Sequence, residues 1–286
     1  MPDPKAITLS QQIAVRSLSS GRFTSVRPPT RLGSLTATGF GGSCLAVAVN
    51  AAYQDVGENF HLYSISGHFI RPTRTDRKLF CDVENVRKSR SFHTSEVRVT
   101  QEADDGVSRL CLIALADFHV EKPRSMVVYS YKTSLSGNRE ICGNGDSYPS
   151  AGDTTAPGVK RSESETALPL AIHAERFRSR TPLGNEAEQV SSLAFYMDKG
   201  LGYIPALHCG YRPSDARACA SLDFSLRLFD HELDIQKWHV TEQKSVVANN
   251  ARAYSEGRVW DSNGRLLACM TQQTILRPNS ATTSHI

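Results

Sequence analysis

Apolar and polar residues alternate along this chain with two different periods, and each period marks its own elements. From Gly39 to Gln54 (GFGGSCLAVAVNAAYQ) small and apolar residues run together with almost no charge. That pattern predicts a helix buried on nearly all sides and begun by a glycine-rich turn. Phe60–Arg71 reads as a strand ended by Pro72. Phe80–Gln101 sets Val83, Val86, Phe92, Val97 and Val99 against Arg and Glu, the period-two signature of a strand with a charged outer face. A turn at Glu102–Gly106 leads into a further strand, Ser108–Val120. After a stretch without periodicity the signals return: a strand over Ile172–Arg180, and a second buried helix over Ala187–Leu207, interrupted by Gly200 and Gly202 and closed near Pro205. Strands follow over 218–229, 236–244 with 248–260, and 265–277, and Asn263-Gly264 is the hairpin turn between the last two. One strand near Arg22–Val26 precedes them all.

Two of these stretches are versions of one another. Leu62–Val120 carries LYSISGHFIRP, FCDVENVRKSRSFHTSEVRV and SRLCLIALADFHV; Cys219–Pro278 carries CASLDFSLRLFD, WHVTEQKSVVANNARAYSEGRVW and GRLLACMTQQTILRP. A repeat in fixed order points to two fused copies of one α+β module. Aligning Arg109-Leu110 with Arg265-Leu266 puts Ala116 opposite Gln272, so the second copy keeps a polar side chain that the first lacks. A long buried helix wrapped by an antiparallel sheet, twice over, is a double hotdog. Two such sheets joined side by side leave neither module a bare edge. The expected boundaries are a tail and first strand over 1–36, a first module over 37–121, a flexible linker over 122–167, a second module with the chemistry over 168–279, and a tail over 280–286. The linker is rich in Ser, Gly, Pro, Thr and Asn, and the expectation is disorder from about Gly137 to Thr166.

Composition narrows the function. No stretch approaches the roughly 18–20 apolar residues that span a bilayer, and the first residues lack the apolar core of a secretory signal. The net charge of +4 is spread out, without a dense Lys/Arg block. A nucleic-acid partner is therefore not expected, whereas a phosphate-bearing small molecule is compatible. The seven cysteines form no CxxC pair, and Cys44, Cys111 and Cys269 sit in apolar runs. They read as small buried hydrophobes in a reducing compartment, not as a metal site or disulfide framework. An intracellular protein is expected, cytoplasmic or peroxisomal; the closing Ser284-His285-Ile286 is close to the tripeptide read by the peroxisomal import receptor.

The chain resembles the acyl-CoA thioesterase II family. The resemblance rests on FGGSCLAVAVNAA, SISGHFIRP with VRKSRSFHTSEVRV, FRSRTPLG, LAFYMD, SLDFS and GRVWDSNGRLLACMTQQTILR, and covers about Gly39–Val120 and Phe177–Arg277. It implies the same double hotdog and a catalytic group of Asp198 in LAFYMD, Ser221 in ASLD and Gln272 in MTQQT. The chain departs from the family's usual pattern after SLD, with Phe224 where His is common, then Arg227, Leu228 and Phe229, and with Thr274 where Gly often follows the glutamines.

Those residue types suit thioester hydrolysis. A carboxylate can orient a water and take its proton, and Asp198 lies among Leu193, Ala194 and Phe195, which would desolvate it and raise its basicity. Ser221 and Gln272 would hold the water in place. No GxSxG occurs, so a nucleophilic serine is not indicated. Gly41 and Gly42, at the glycine-rich helix start, are candidate oxyanion donors; His68, Arg71 and Phe224 are further candidates for the substrate site. Read without the resemblance, Asp198 is an ordinary surface carboxylate near a helix end, and Ser221 a small strand residue. Which of Gln272 and Gln273 faces inward stays open. The expected substrate is an acyl thioester of coenzyme A or of an acyl carrier protein, with no cofactor or metal, and a homo-oligomer is compatible. Two rivals remain. One is a biosynthetic-cluster enzyme that releases, dehydrates or cyclises a polyketide thioester; the other is a non-catalytic acyl-thioester binder.

Overall fold

The computed structural model describes residues 7–31, 38–122, 125–133, 171–212 and 215–279. The first half contains α1 (Leu9–Ile13), β1 (Val15–Ser19), β2 (Arg22–Ser25), α2 (Gly41–Asp55), β3 (Phe60–Phe69), β4 (Phe80–Lys88), β5 (Phe92–Glu102) and β6 (Ser108–Val120). The second contains β7 (His173–Phe177), α3 (Glu186–Met197), a 3₁₀ turn at Leu201–Tyr203, α4 (Ile204–His208), β8 (Ala216–Leu228), β9 (His239–Asn249), β10 (Arg252–Trp260) and β11 (Leu266–Pro278). All strands belong to one antiparallel sheet in the order β1-β2-β4-β5-β6-β3-β8-β11-β10-β9-β7. This is the expected double hotdog, an α+β fold.

The halves meet at β3 and β8, where Ser66 faces Ser225 and their hydroxyls lie 2.7 Å apart. That pair marks an approximate two-fold axis. Ile65 pairs with Ala116 on one side of it, and Phe224 with Gln272 on the other. Ala116 and Gln272 thus occupy equivalent places, as the aligned repeats imply. Strand alternation sends Ile65, Ala116, Phe224, Leu226, Met270 and Gln272 to the inner face, all nearly fully buried. Tyr53 near the end of α2 donates to Glu186 at the start of α3 (2.9 Å), so the two helices run antiparallel beneath the sheet.

Four local expectations change. The N-terminal stretch expected as a tail holds α1, started by a capping box in which Thr8 Oγ1 accepts from Gln11 N (3.2 Å) and Gln11 Oε1 from Thr8 N (3.3 Å), and then β1. The Phe80–Gln101 alternation is two strands, broken at Ser89-Arg90-Ser91 by a turn in which Ser89 N donates to Phe92 O (2.8 Å). β9 runs unbroken to Asn249, and the hairpin turns at Asn250-Ala251, both at positive φ (51° and 57°). The second helix stops at Met197, because Gly200 takes φ +80°. Pro205 starts α4 instead of closing α3, at a position where its missing N–H leaves no bond unmade.

Part of the expected linker is placed. Residues 125–133 cross the outer face of the second half, where Trp260 Nε1 donates to Tyr131 O (3.0 Å) and Arg258 stacks 5.2 Å from the Tyr131 ring. The stretch expected to be disordered, Cys142 and the Ser284–Ile286 tripeptide lie outside the described residues. Among the described residues no helix is long and apolar enough to cross a membrane.

Candidate functional site

The three residues of the aligned trio come from three elements and meet at one place. Asp198 caps the end of α3, its backbone N–H donating to Ala194 O (3.4 Å). Gln272 lies on the inner face of β11 with no exposed surface, while Gln273 turns outward and receives its neighbour strand's Asp223 carboxylate on its backbone N–H (3.0 Å). Ser221 lies on β8, across from Thr274. Gln272 Nε2 donates to Asp198 Oδ1, and Ser221 Oγ donates to Gln272 Oε1 (3.4 Å). A carboxylate, a carboxamide and a hydroxyl are thereby linked in one chain.

Asp198 is 7% exposed and holds its charge against burial. Desolvation raises its pKa from 3.8 to about 6; the Gln272 amide and the Gly42 backbone N–H pull the other way. The Gly42 contact explains the odd start of α2. Its N-cap is Phe40, which offers no side-chain acceptor, whereas α3 is capped by its own Asn185, whose Oδ1 accepts from Glu188 N (3.0 Å). The uncapped end of α2 takes its acceptor from the other helix. The helix dipole there favours the ionised carboxylate.

Glycine is required where the two helices touch. A Cβ on Gly42 would stand 2.7 Å from Phe195 O, and one on Gly41 would stand 3.0 Å from Asp198 Oδ2. Both residues therefore belong to the site, but the Gly42 N–H is directed at Asp198 and not at an oxyanion. Phe224 is also present: it is 2% exposed, pairs with Gln272 across β8 and β11, and lies 5.2 Å from the Phe69 ring. His68 and Arg71 are not brought to the trio. His68 is exposed on β3, on the face of Ser66 and away from Ile65. Arg71 is exposed beyond the end of β3, its Nη1 on Leu110 O (3.3 Å).

Two thiols that the sequence did not tie to the site lie close enough to feel Asp198. Burial, above all, pushes Cys44 up to about 12; Cys219 keeps exposed surface, and the protein packed around its thiol raises it to about 11, with the Asp198 charge adding to both. Both therefore stay protonated and are poor nucleophiles. Among the described residues no cluster of three or more His, Cys, Asp or Glu side chains is placed to hold a metal.

One sequence signal for Asp198 went unused. Residues 38–55 and 181–198 align without a gap, pairing Gly41 with Gly184, Tyr53 with Tyr196 and Asp55 with Asp198. The carboxylate recurs in both halves, but its strand partners do not: the places of Ser221, Gln272 and Thr274 are filled by Leu62, Ala116 and Phe118 in the first half. Among the described residues, the second half alone sets a hydroxyl and a carboxamide on the strands beside the helix-end carboxylate.

Two family models match successive parts of the chain. Residues 28–119 match the family model of the acyl-CoA thioesterase N-terminal domain, and residues 151–276 match that of the C-terminal domain. Acyl-CoA thioesterase 2 of Haemophilus influenzae is 22% identical over 273 residues, covering 83% of this chain and 87% of its own. Among solved structures, the acyl-CoA thioesterase II TesB2 from Mycobacterium marinum superposes with a TM-score of 0.74 at 18% identity, covering 96% of this chain and 99% of its own. A hot dog fold protein from Alicyclobacillus acidocaldarius gives 0.67 at 14% identity, covering 95% and 98%. At these identities the solved structures establish the fold.

Proposed function

Because the chain belongs to the acyl-CoA thioesterase II family, we propose that it hydrolyses an acyl thioester to a free carboxylic acid and a thiol, with Asp198, Gln272 and Ser221 acting on the attacking water. The observation that carries the proposal is the linked trio around a buried carboxylate whose pKa stands near 6. At neutral pH that carboxylate is ionised yet basic enough to accept a proton.

In the reaction, a water held by Asp198 attacks the thioester carbonyl carbon while its proton passes to the carboxylate. The carbonyl oxygen takes up negative charge in the tetrahedral intermediate. When the carbonyl re-forms, the carbon–sulfur bond breaks, and the departing sulfur receives the proton from Asp198. Gln272 and Ser221 orient the water and carboxylate without changing charge. The positive end of the α2 dipole lies beside Asp198 and favours its ionised form, the form that accepts the proton. Neither Cys44 nor Cys219 has a role as nucleophile.

The carrier is coenzyme A or the phosphopantetheine arm of an acyl carrier protein, and the acyl group includes the polyketide type as a candidate. Thiol release from a panel of acyl-CoAs and acyl carrier proteins tests the reading and chooses the carrier. Asp198→Asn should lose about 10²–10⁴ in turnover. A variant that matches wild type would remove Asp198 from the mechanism. Release of a dehydrated or cyclised thioester, with no free acid, would replace hydrolysis by the biosynthetic alternative.

A further inference from the structure

Next to Gln272 on the inner face, two serines continue the row that crosses the sheet. Gln272 pairs with Ser255 on β10, and Ser255 pairs with Ser245 on β9. Ser255 has no exposed surface, and its hydroxyl has no hydrogen-bond partner. A buried hydroxyl left unpaired disfavours the folded state, so a fold that keeps one holds a group in reserve.

The first half supplies an internal control. Its equivalent row is Ala116, Ser95 and Asn85. There His93 joins the two polar residues, its Nε2 lying 2.9 Å from Ser95 Oγ and 2.9 Å from Asn85 Nδ2. In the second half the residue two before Ser255 is Ala253, which is 3% exposed, where His93 stands before Ser95. The hydroxyl is kept, and the imidazole that satisfies its counterpart is replaced by the methyl group of Ala253.

The elements facing this row show the same property. In the first half α2 packs closely on β4, β5 and β6. In the second half the turn and short helix over Leu201–His208 lie against β8–β11, and α3 stands further from its strands. Ser191 and Ser192 on α3, both without exposed surface, and Tyr203 in the turn also carry buried hydroxyls without partners. Purely apolar packing has no use for such hydroxyls, and the second half keeps several of them.

We propose that Ser255 is a specificity-determining residue that binds an oxygen on the acyl chain, so that the preferred substrate is a thioester oxygenated at its third carbon. The inference rests on the thioesterase reading above and deepens it. Directly opposed side chains on neighbouring strands stand about 5 Å apart at Cβ. With the reacting carbonyl at the water held by Asp198 and Gln272, an oxygen two carbons along the chain falls within reach of Ser255. A serine hydroxyl can donate to a ketone, or donate to and accept from a hydroxyl.

The test compares decanoyl-, 3-hydroxydecanoyl- and 3-oxodecanoyl-CoA as substrates of the full-length chain. Calorimetric binding of their non-hydrolysable thioether analogues runs alongside. One of the two oxygenated thioesters should exceed the plain one in kcat/KM by about tenfold or more, the worth of one buried hydrogen bond. Ser255→Ala should bring that ratio close to one. The melting temperature of free Ser255→Ala should equal or exceed that of wild type, since the hydroxyl removed had no partner. Equal kcat/KM for all three substrates would overturn the proposal. So would a preference untouched by Ser255→Ala, or a clear drop in its melting temperature. If no thiol is released from any substrate, hydrolysis fails, and the same preference in analogue binding still decides the role of Ser255.

Discussion

Asp198 is one carboxylate under opposing pulls, and the sign of their balance can be read by titration. Burial outweighs the Gln272 amide and the Gly42 N–H, leaving the pKa at about 6. The base must be ionised to act, so kcat/KM should rise through about pH 6 and level off above it. A rise centred near pH 4 would mean that the essential base is a solvated carboxylate and not the desolvated Asp198. Stability runs the other way. The folded state binds this proton more tightly than the unfolded chain, so its contribution is favourable at low pH and is lost as pH climbs from about 4 through 6. At pH 7.5 Asp198→Asn should therefore stabilise the protein by about 1–3 kcal/mol, with the gain vanishing near pH 4. Thermal melts of both proteins at the two pH values check this. The residue type and its LAFYMD context were legible in the sequence, as were Ser221 and Gln272. The depth of burial was not, because it depends on what α2 places against the end of α3.

The elements themselves divide by how local their cause is. Strands with clean alternation, such as β5 and β6, follow from one buried and one outer face and are readable directly. The Asn263-Gly264 hairpin carries its own turn chemistry, with Gly264 at φ +77°. The Asn250-Ala251 hairpin does not, since alanine seldom takes positive φ, and its place is set by pairing of β9 with β10. The capping box of α1 was present in TLSQ but sat in a polar stretch too short to show a period. α2 is the informative case. Its start lacks any Ser, Thr, Asp or Asn cap, a defect when read locally, and is in fact the receptor for Asp198. Gly42→Ala should cost about 1–3 kcal/mol in stability, since the new methyl meets Phe195 O and the Phe40 ring. It should also lower turnover at least tenfold through displacement of Asp198. Denaturant melts and thiol-release rates measure the two effects; an unchanged rate would show that the α2 contact does not position the base.

For the molecule as a whole, the site belongs to both halves. Gln272, Ser221 and Asp198 come from the second, yet the N–H that holds Asp198 comes from Gly42 in the first, and β3 closes the edge of β8. Fragments 1–121 and 168–279 expressed apart should each be inactive and prone to associate, because each would expose the β3 or β8 edge and half of the helix interface. Co-expressed, they should restore thiol release. Activity from 168–279 alone would show that the first half is dispensable for chemistry.

What the sequence determined by itself was everything with a short-range cause: the two periods, the repeat, the missing polar residue at Ala116, and three chemically suitable side chains in matching motifs. Tertiary structure alone decided how those residues are used. It joined Asp198 to Gln272 and Gly42, turned His68 and Arg71 away, and left Ser255 without a partner. The physical reason is that hydrogen bonding and desolvation depend on groups far apart in the chain, which only the folding of two helices under one sheet brings within bonding distance.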